Sequence, residues 1–269
     1  MSDSVHEAFK SRDASASRAA HKARRGHGHS HSHSHNEKHT NSGEYLKEMV
    51  LGGTDGIVTT FAVVAGVEGA NLAAGVILVL GIANILADGL SMAIGNYLGS
   101  KAEQDFYDNE RAREGWEIDN VPEHEKDEIR EIYAAKGFEG ELLEQVVAKI
   151  TENKERWLDV MMLEELKMID ERQNPLLSAL TTFVAFLGFG AIPLLAYIGA
   201  MFFRINSDNL FGYCVTLTGI ALFMVGVLRS RFTHRSWFKS GLEILTLGGA
   251  AGGVSYLVGE MLQGLASMP

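Results

Sequence analysis

The 269-residue sequence has a single cysteine, Cys214, so no intrachain disulfide is available to it. That cysteine lies in an apolar run, where a free thiol packs as a small hydrophobe. No secretory leader is read in the first 45 residues, which are polar and lack an apolar centre. Basic residues are in deficit, 24 against 34 acids, and no nucleic-acid partner is expected. No nucleophile–base arrangement stands out, and His124 and His234 are isolated. A di-iron oxidase of the ferritin kind needs paired Glu-x-x-His motifs, and "EHEKDE" supplies none. The expectation is a protein that is not an enzyme and carries no prosthetic group.

The acids are concentrated in one place. Residues 100–172 hold 22 of the 34 acids and 11 of the 24 basic residues, a local net charge of −11. The remainder is a polar tail and five apolar segments, at about 50–67, 72–98, 176–202, 210–228 and 240–263. Each approaches the roughly 20 residues a helix needs to cross a hydrocarbon core. Gly248, Gly249, Gly252 and Gly253 form an overlapping small-residue pattern suited to close helix contact in lipid. The predicted fold is all-α: a polytopic membrane protein with five transmembrane helices and a helical metal-binding domain inserted between the second and third. Its parts are a disordered His-rich tail (1–44), helices 1–2 (45–99), the acidic helical domain (100–172) and helices 3–5 (173–269). The loop at 229–239 carries Arg229, Arg231, Arg235 and Lys239, and the positive-inside rule places it in the cytoplasm. Counting crossings back puts the acidic domain and the N-terminus on the same side. Within that domain Pro122 fits a first helical position and Gly137 a helix stop. A last helix is expected from about residue 152 to the residues before Pro175.

Three groups of side chains carry candidate chemistry. Glu110, Glu114 and Glu117 share a helix face, and Glu125 and Glu128 form a pair on the next helix. Carboxylates are hard donors for divalent cations, although such spacing equally describes a solvated acidic surface. In "WLDVMMLEELKM", Met161 and Met162 precede Glu165 by four and three residues. Thioethers beside a carboxylate suit a borderline-soft ion such as Fe(II), while a methionine core stripe with Trp157 is the other reading. The third group lies at membrane depth: Asp55 in "LGGTDGIVTTFAVVAG", and Asp88 with Met92 one turn later. Ionisable groups there are costly and are functional candidates by default, though a helix-end aspartate in the headgroup region is the plainer account of Asp55. A carboxylate that holds either a cation or a proton, but not both, supplies the minimal physics of exchange.

The ordered stretches "TDGIVTTFAVVAG", "ADGLSMAIGNYLGSKAEQDFY", "WLDVMMLEEL", "NPLLSALTTFVAFLGFGAIPLLAY" and "GGAAGGVSYLVG" resemble the vacuolar iron transporter family over about residues 44–264. The resemblance implies a homodimer in a lipid bilayer with a pathway at its interface. It implies export of Fe(II), and often Mn(II), from the cytosol in exchange for protons. Membership would place the chain in a vacuolar membrane in a eukaryote, or the cytoplasmic membrane in a bacterium. By motif position, the family's metal-gathering residues fall on Glu114, Glu117, Glu125, Glu128, Met161, Met162 and Glu165. Its intramembrane pair falls on Asp55 and Met92. The chain departs from the plant-type pattern at Asn84, where an acid is expected, and Asp88 is placed to take over that role. The tract "GHGHSHSHSH" at 26–35 is not a family hallmark; such tracts bind metals weakly. A rival reading is a membrane-tethered metal buffer or sensor, which has no use for Asp55 or Met92. Deletion of residues 1–40 tests a delivery role for the tail: unchanged metal affinity and transport would exclude one.

Overall fold

The computed structural model describes residues 45–170, 173–203, 209–233 and 236–266. The His-rich tract, Arg204, His234 and Arg235 lie outside the described residues. Among those described there are nine α-helices and no strand: α1 Leu46–Gly69, α2 Ala74–Asn120, α3 Pro122–Ala135, α4 Gly140–Thr151, α5 Lys154–Val160, α6 Pro175–Gly190, α7 Leu195–Phe203, α8 Leu210–Thr233 and α9 Trp237–Ala266. Five helical stretches are long and apolar enough to cross a membrane, with α6 and α7 joined through a short 3-10 turn at Ile192–Leu194 to make the third. These match the five apolar segments of the sequence.

The second of them does more than span. At 47 residues, α2 is about 70 Å long, more than twice the thickness of a hydrocarbon core of about 30 Å. Its apolar character stops near Leu98. From Lys101 onward it carries Glu103, Asp105, Asp108, Glu110, Arg111 and Arg113, which no hydrocarbon tolerates in such number. The helix therefore leaves the bilayer without a break and becomes the first element of a charged helical unit. That unit has its own core, in which Ile118, Ile129, Val147, Ile150, Trp157, Leu158, Met161 and Met162 are buried together.

Local signals fix the ends of these elements. Pro122 starts α3, where its missing N–H costs nothing. Gly137 follows at φ 93, a conformation that suits glycine. Asn174 caps α6, its side-chain oxygen accepting from the N–H groups of Leu176 (3.0 Å) and Leu177 (3.3 Å), with Pro175 at the first helical position. The last helix of the charged unit is shorter than expected. It is α-helical only to Val160, then widens into a π-helical turn at Met161–Glu165. Leu166 N–H donates to Met161 O (3.2 Å), and Lys167 takes φ 57, which ends the helix well before Pro175.

Helix α1 is the centre of the membrane bundle, packed against α2, α6, α8 and α9. Its approach to α6 is set by glycine. A Cβ at Gly52 would lie 2.6 Å from Thr182 O, and one at Gly56 2.5 Å from Phe186 O. Backbone atoms cannot step aside as flexible side chains do. Gly56→Ala therefore forces α1 and α6 apart, and overpacking of this kind costs on the order of 1–3 kcal/mol. A lower thermal midpoint for that variant in detergent is the expected result, and an unchanged midpoint would contradict the close approach.

Candidate metal-handling site

The charged unit brings the predicted glutamates together. Glu114 and Glu117 come from α2, Glu125 and Glu128 from α3, and Glu165 from the π-helical turn. Their charges bear on one another: Glu114 feels Glu165, Glu117 and Glu125, while Glu125 feels Glu128, Glu117 and Glu165. Glu165 sits at the exposed rim, where it feels the charges of Glu128 and Glu117.

Two members of the cluster are deeply placed. Glu114 is 1 % exposed and Glu125 3 %. Glu125 Oε2 and Glu114 Oε1 are buried and accept no hydrogen bond. Burial pushes Glu114 up to about 7, helped by Glu165 and opposed by Arg113. Burial likewise pushes Glu125 up to about 7, with Glu128 next in importance. Partial burial and then Glu128 push Glu165 upward too. Loss of water is the largest cause in each case, and the neighbouring carboxylates add to it.

Arg113 stands among these acids and is missing from the sequence-level candidates; His124, read from the sequence as isolated, also stands beside them, its Nε2 3.5 Å from Glu128 Oε1. Arg113 Nη2 lies 2.8 Å from Glu110 Oε2 and 2.8 Å from Glu114 Oε1, and Nη1 lies 3.4 Å from Glu117 Oε2. The Glu114 contact is an ion pair out of line for a hydrogen bond, which is why that oxygen still lacks a donor. Among the described residues, no three His, Cys, Asp or Glu side chains stand close enough to grip one ion. The arrangement seen is acids spread around a guanidinium.

Met161 and Met162 are buried in the unit's core, at 0 % and 1 % exposure, with Trp157 beside them. They line the inner side of the turn that carries Glu165. π-helical turns of this kind recur at functional sites because they reposition side chains within a helix. Outside the cluster, Arg111 ties α2 to α5 through Asp159 (2.8 Å) and Glu155 (2.9 Å), and Arg130 ties α3 to α4 through Glu144 (2.7 Å). These exposed pairs fix orientation more than they add stability.

In the membrane bundle, Asp55 sits nine residues into α1, about 14 Å along its axis. It lies between Gly52 and Gly56 and is half-buried, with Thr59 Oγ1 donating to its backbone oxygen at 2.8 Å. Asp55 is therefore in the third turn of the helix. Asp88, on the neighbouring α2, is near enough for the two charges to interact. Met92 packs against the bundle core one turn further on. Asn84 Nδ2, Thr54 Oγ1 and Thr60 Oγ1 are buried without hydrogen-bond partners on the same two helices.

Two polar contacts escaped the sequence reading. Asn96 Nδ2 donates to Thr182 Oγ1 at 2.7 Å, and Tyr197 OH donates to Glu68 Oε2 at 3.3 Å. Both join residues more than 80 positions apart, so no local pattern announces them. Grooves of about 530 Å³, lined by Phe61, Phe211 and Tyr256, and about 520 Å³, lined by Leu177, Val184 and Phe189, are apolar and contain none of the acids.

The raised carboxyls have a sign that measurement can check. Each binds its proton more tightly folded than unfolded, so the apo protein loses stability as pH rises from about 4.5 through about 7. Thermal midpoints of the apo chain should fall between pH 5 and pH 8, and Mn(II) should restore more at pH 8 than at pH 5. A midpoint that climbs across that window would show the cluster to be uncrowded.

Comparison with known proteins agrees with this architecture. The family model described as the VIT family matches residues 46–260. The chain is 38 % identical over 266 residues to a vacuolar iron transporter of Toxoplasma gondii, covering 96 % of this chain and 87 % of that one. It is 36 % identical over 230 residues to vacuolar iron transporter 1 of Arabidopsis thaliana, covering 84 % and 90 % respectively. A vacuolar iron transporter of Plasmodium berghei is 34 % identical over 233 residues, at 84 % and 85 % coverage. With five membrane-length helices and matches that run through all of them, this chain is a multi-pass membrane protein of the vacuolar iron transporter (VIT) family.

Proposed function

We propose that the chain is a secondary transporter that moves Fe(II), and Mn(II) with it, out of the cytosol in exchange for protons. The observation that carries this reading is the convergence of five glutamates from three elements, two of them buried and held near pKa 7. Buried like charge is unfavourable unless a cation or protons relieve it, and near neutral pH both compete for the same oxygens. Relatives named as iron transporters supply the identity of the ion. The helical unit at 100–172 is then the cytoplasmic metal-gathering domain. Glu114, Glu117, Glu125, Glu128 and Glu165 hold the ion there, and Met161 and Met162 bias the choice away from Mg(II) and Ca(II).

The onward path runs past Met92 and the carboxylates of Asp55 and Asp88. Asp88 supplies the charge that Asn84 lacks. The N-terminal tail shares the cytoplasmic side with the acidic domain, as the basic 229–239 loop indicates. The outward face of α2 carries Val79, Leu86, Leu90 and Ile94, all exposed in the single chain. A second copy packed on that face gives a homodimer with the path between subunits. The destination is a vacuole in a eukaryotic host and the cell exterior in a bacterial one.

Purified protein in liposomes, with Fe(II) outside and a pH dye inside, tests the reading. The native chain should take up Fe(II) with loss of internal protons, and Asp55→Ala should fall to the level of protein-free vesicles. Binding without entry, at any pH gradient, would leave a tethered buffer instead of a transporter.

A further inference from the structure

Arg113 stands among the acids of the cluster. Its guanidinium touches Glu110, Glu114 and Glu117, the three acids that share a face of α2. Its position in "ERARE" makes this local: Glu110 is three residues before it and Glu117 four after. The guanidinium does not satisfy every deep oxygen: Glu114 Oε1 pairs with it out of line for a hydrogen bond, and Glu125 Oε2 is buried without a donor. One guanidinium, with His124 at the Glu128 edge, faces six carboxylates, counting Glu110.

A guanidinium has donors and no lone pair, so it cannot ligate a metal beside these acids. It carries positive charge, so it repels a divalent ion placed among the same oxygens. The two occupants exclude each other. Arg113 has somewhere to go, because 47 % of its side chain is exposed; solvent can replace its pairs with Glu110 and Glu117, and the incoming metal its pair with the buried Glu114.

We propose that Arg113 is a resident counter-cation of the acidic cluster, displaced when metal binds, and that it sets the metal concentration at which the cluster fills. The proposal rests on the reading of this cluster as the metal-gathering site. With metal scarce, Arg113 partly neutralises the acids and keeps the unit folded. With metal plentiful, it swings into water and yields its oxygens. Arg113 is a positioning residue and threshold setter, not a ligand.

The test is Mn(II) binding to the full-length protein in detergent, followed by electron paramagnetic resonance at pH 7. Removal of one neighbouring positive charge should tighten Mn(II) binding by about tenfold or more in Arg113→Gln. Arg113→Lys, which keeps the charge, should stay near the native affinity. Unchanged or weaker binding in Arg113→Gln, with native binding abolished by Glu114→Gln, overturns the proposal and leaves the site standing. Native binding that survives Glu114→Gln unaltered sinks the site and the proposal together. Should Arg113→Gln fail to fold, the native chain supplies a second readout. Phenylglyoxal labelling of Arg113, read by mass spectrometry, should accelerate when Mn(II) saturates the protein. Labelling that Mn(II) leaves unchanged or slows also overturns displacement.

Discussion

Like charge held out of water is the constraint on which the rest of this molecule turns. Carboxylates repel one another weakly at a solvated surface and strongly where the medium is poor in water. Glu114 and Glu125 are in the second situation, with Glu117, Glu128 and Glu165 crowded around them. A fold that builds such a cluster spends stability to do so, and needs cations or protons to stand between the charges. The surrounding structure supplies the means. A core of Ile118, Ile129, Trp157 and the two methionines holds the three acid-bearing elements in place. Arg111 and Arg130 clamp their outer faces. Arg113 sits among the acids themselves.

The membrane half meets a related constraint by different means. Asp55 and Asp88 are two acids on adjacent membrane-length helices. There the chain offers small residues and polar side chains in place of counter-charge. Gly52 and Gly56 bring α6 close, and Thr54, Thr60 and Asn84 present polar atoms with no protein partner. Such atoms need a transient occupant, whether water or an ion, to be satisfied.

Much of this was legible in the sequence, for physical reasons that differ by element. The spans were visible because a lipid-facing helix must be apolar over its whole length. Pro122, Pro175 and Gly137 announced helix ends because their backbone chemistry admits few alternatives, while the Asn174 cap showed only in the structure. The glutamate pairs were visible because helical spacing is local. Their meeting across α2, α3 and the turn at Glu165 was not, since it depends on tertiary packing; there the family resemblance, not spacing, named the set. The early end of the last helix of the unit was hidden because "MMLEELKMIDER" keeps a helical pattern, and only Lys167 at φ 57 reveals the break. Arg113 was hidden in plain view. Its spacing to Glu110 and Glu117 reads as ordinary surface pairing until Glu114 is seen to be buried.

The unbroken run of α2 has a kinetic consequence. Glu114 and Met92 are 22 residues apart on one helix, a separation of about 33 Å. One ion released within a hemisphere of that radius is at an effective concentration on the order of 10 mM, far above what a cell tolerates in free solution. On the proposed reading, this unbroken helix lets the acidic unit act as an antenna that raises the encounter rate at the pathway's mouth without binding the ion more tightly there. The affinity of Asp55, Asp88 and Met92 is then free to stay low, which rapid departure on the far side requires.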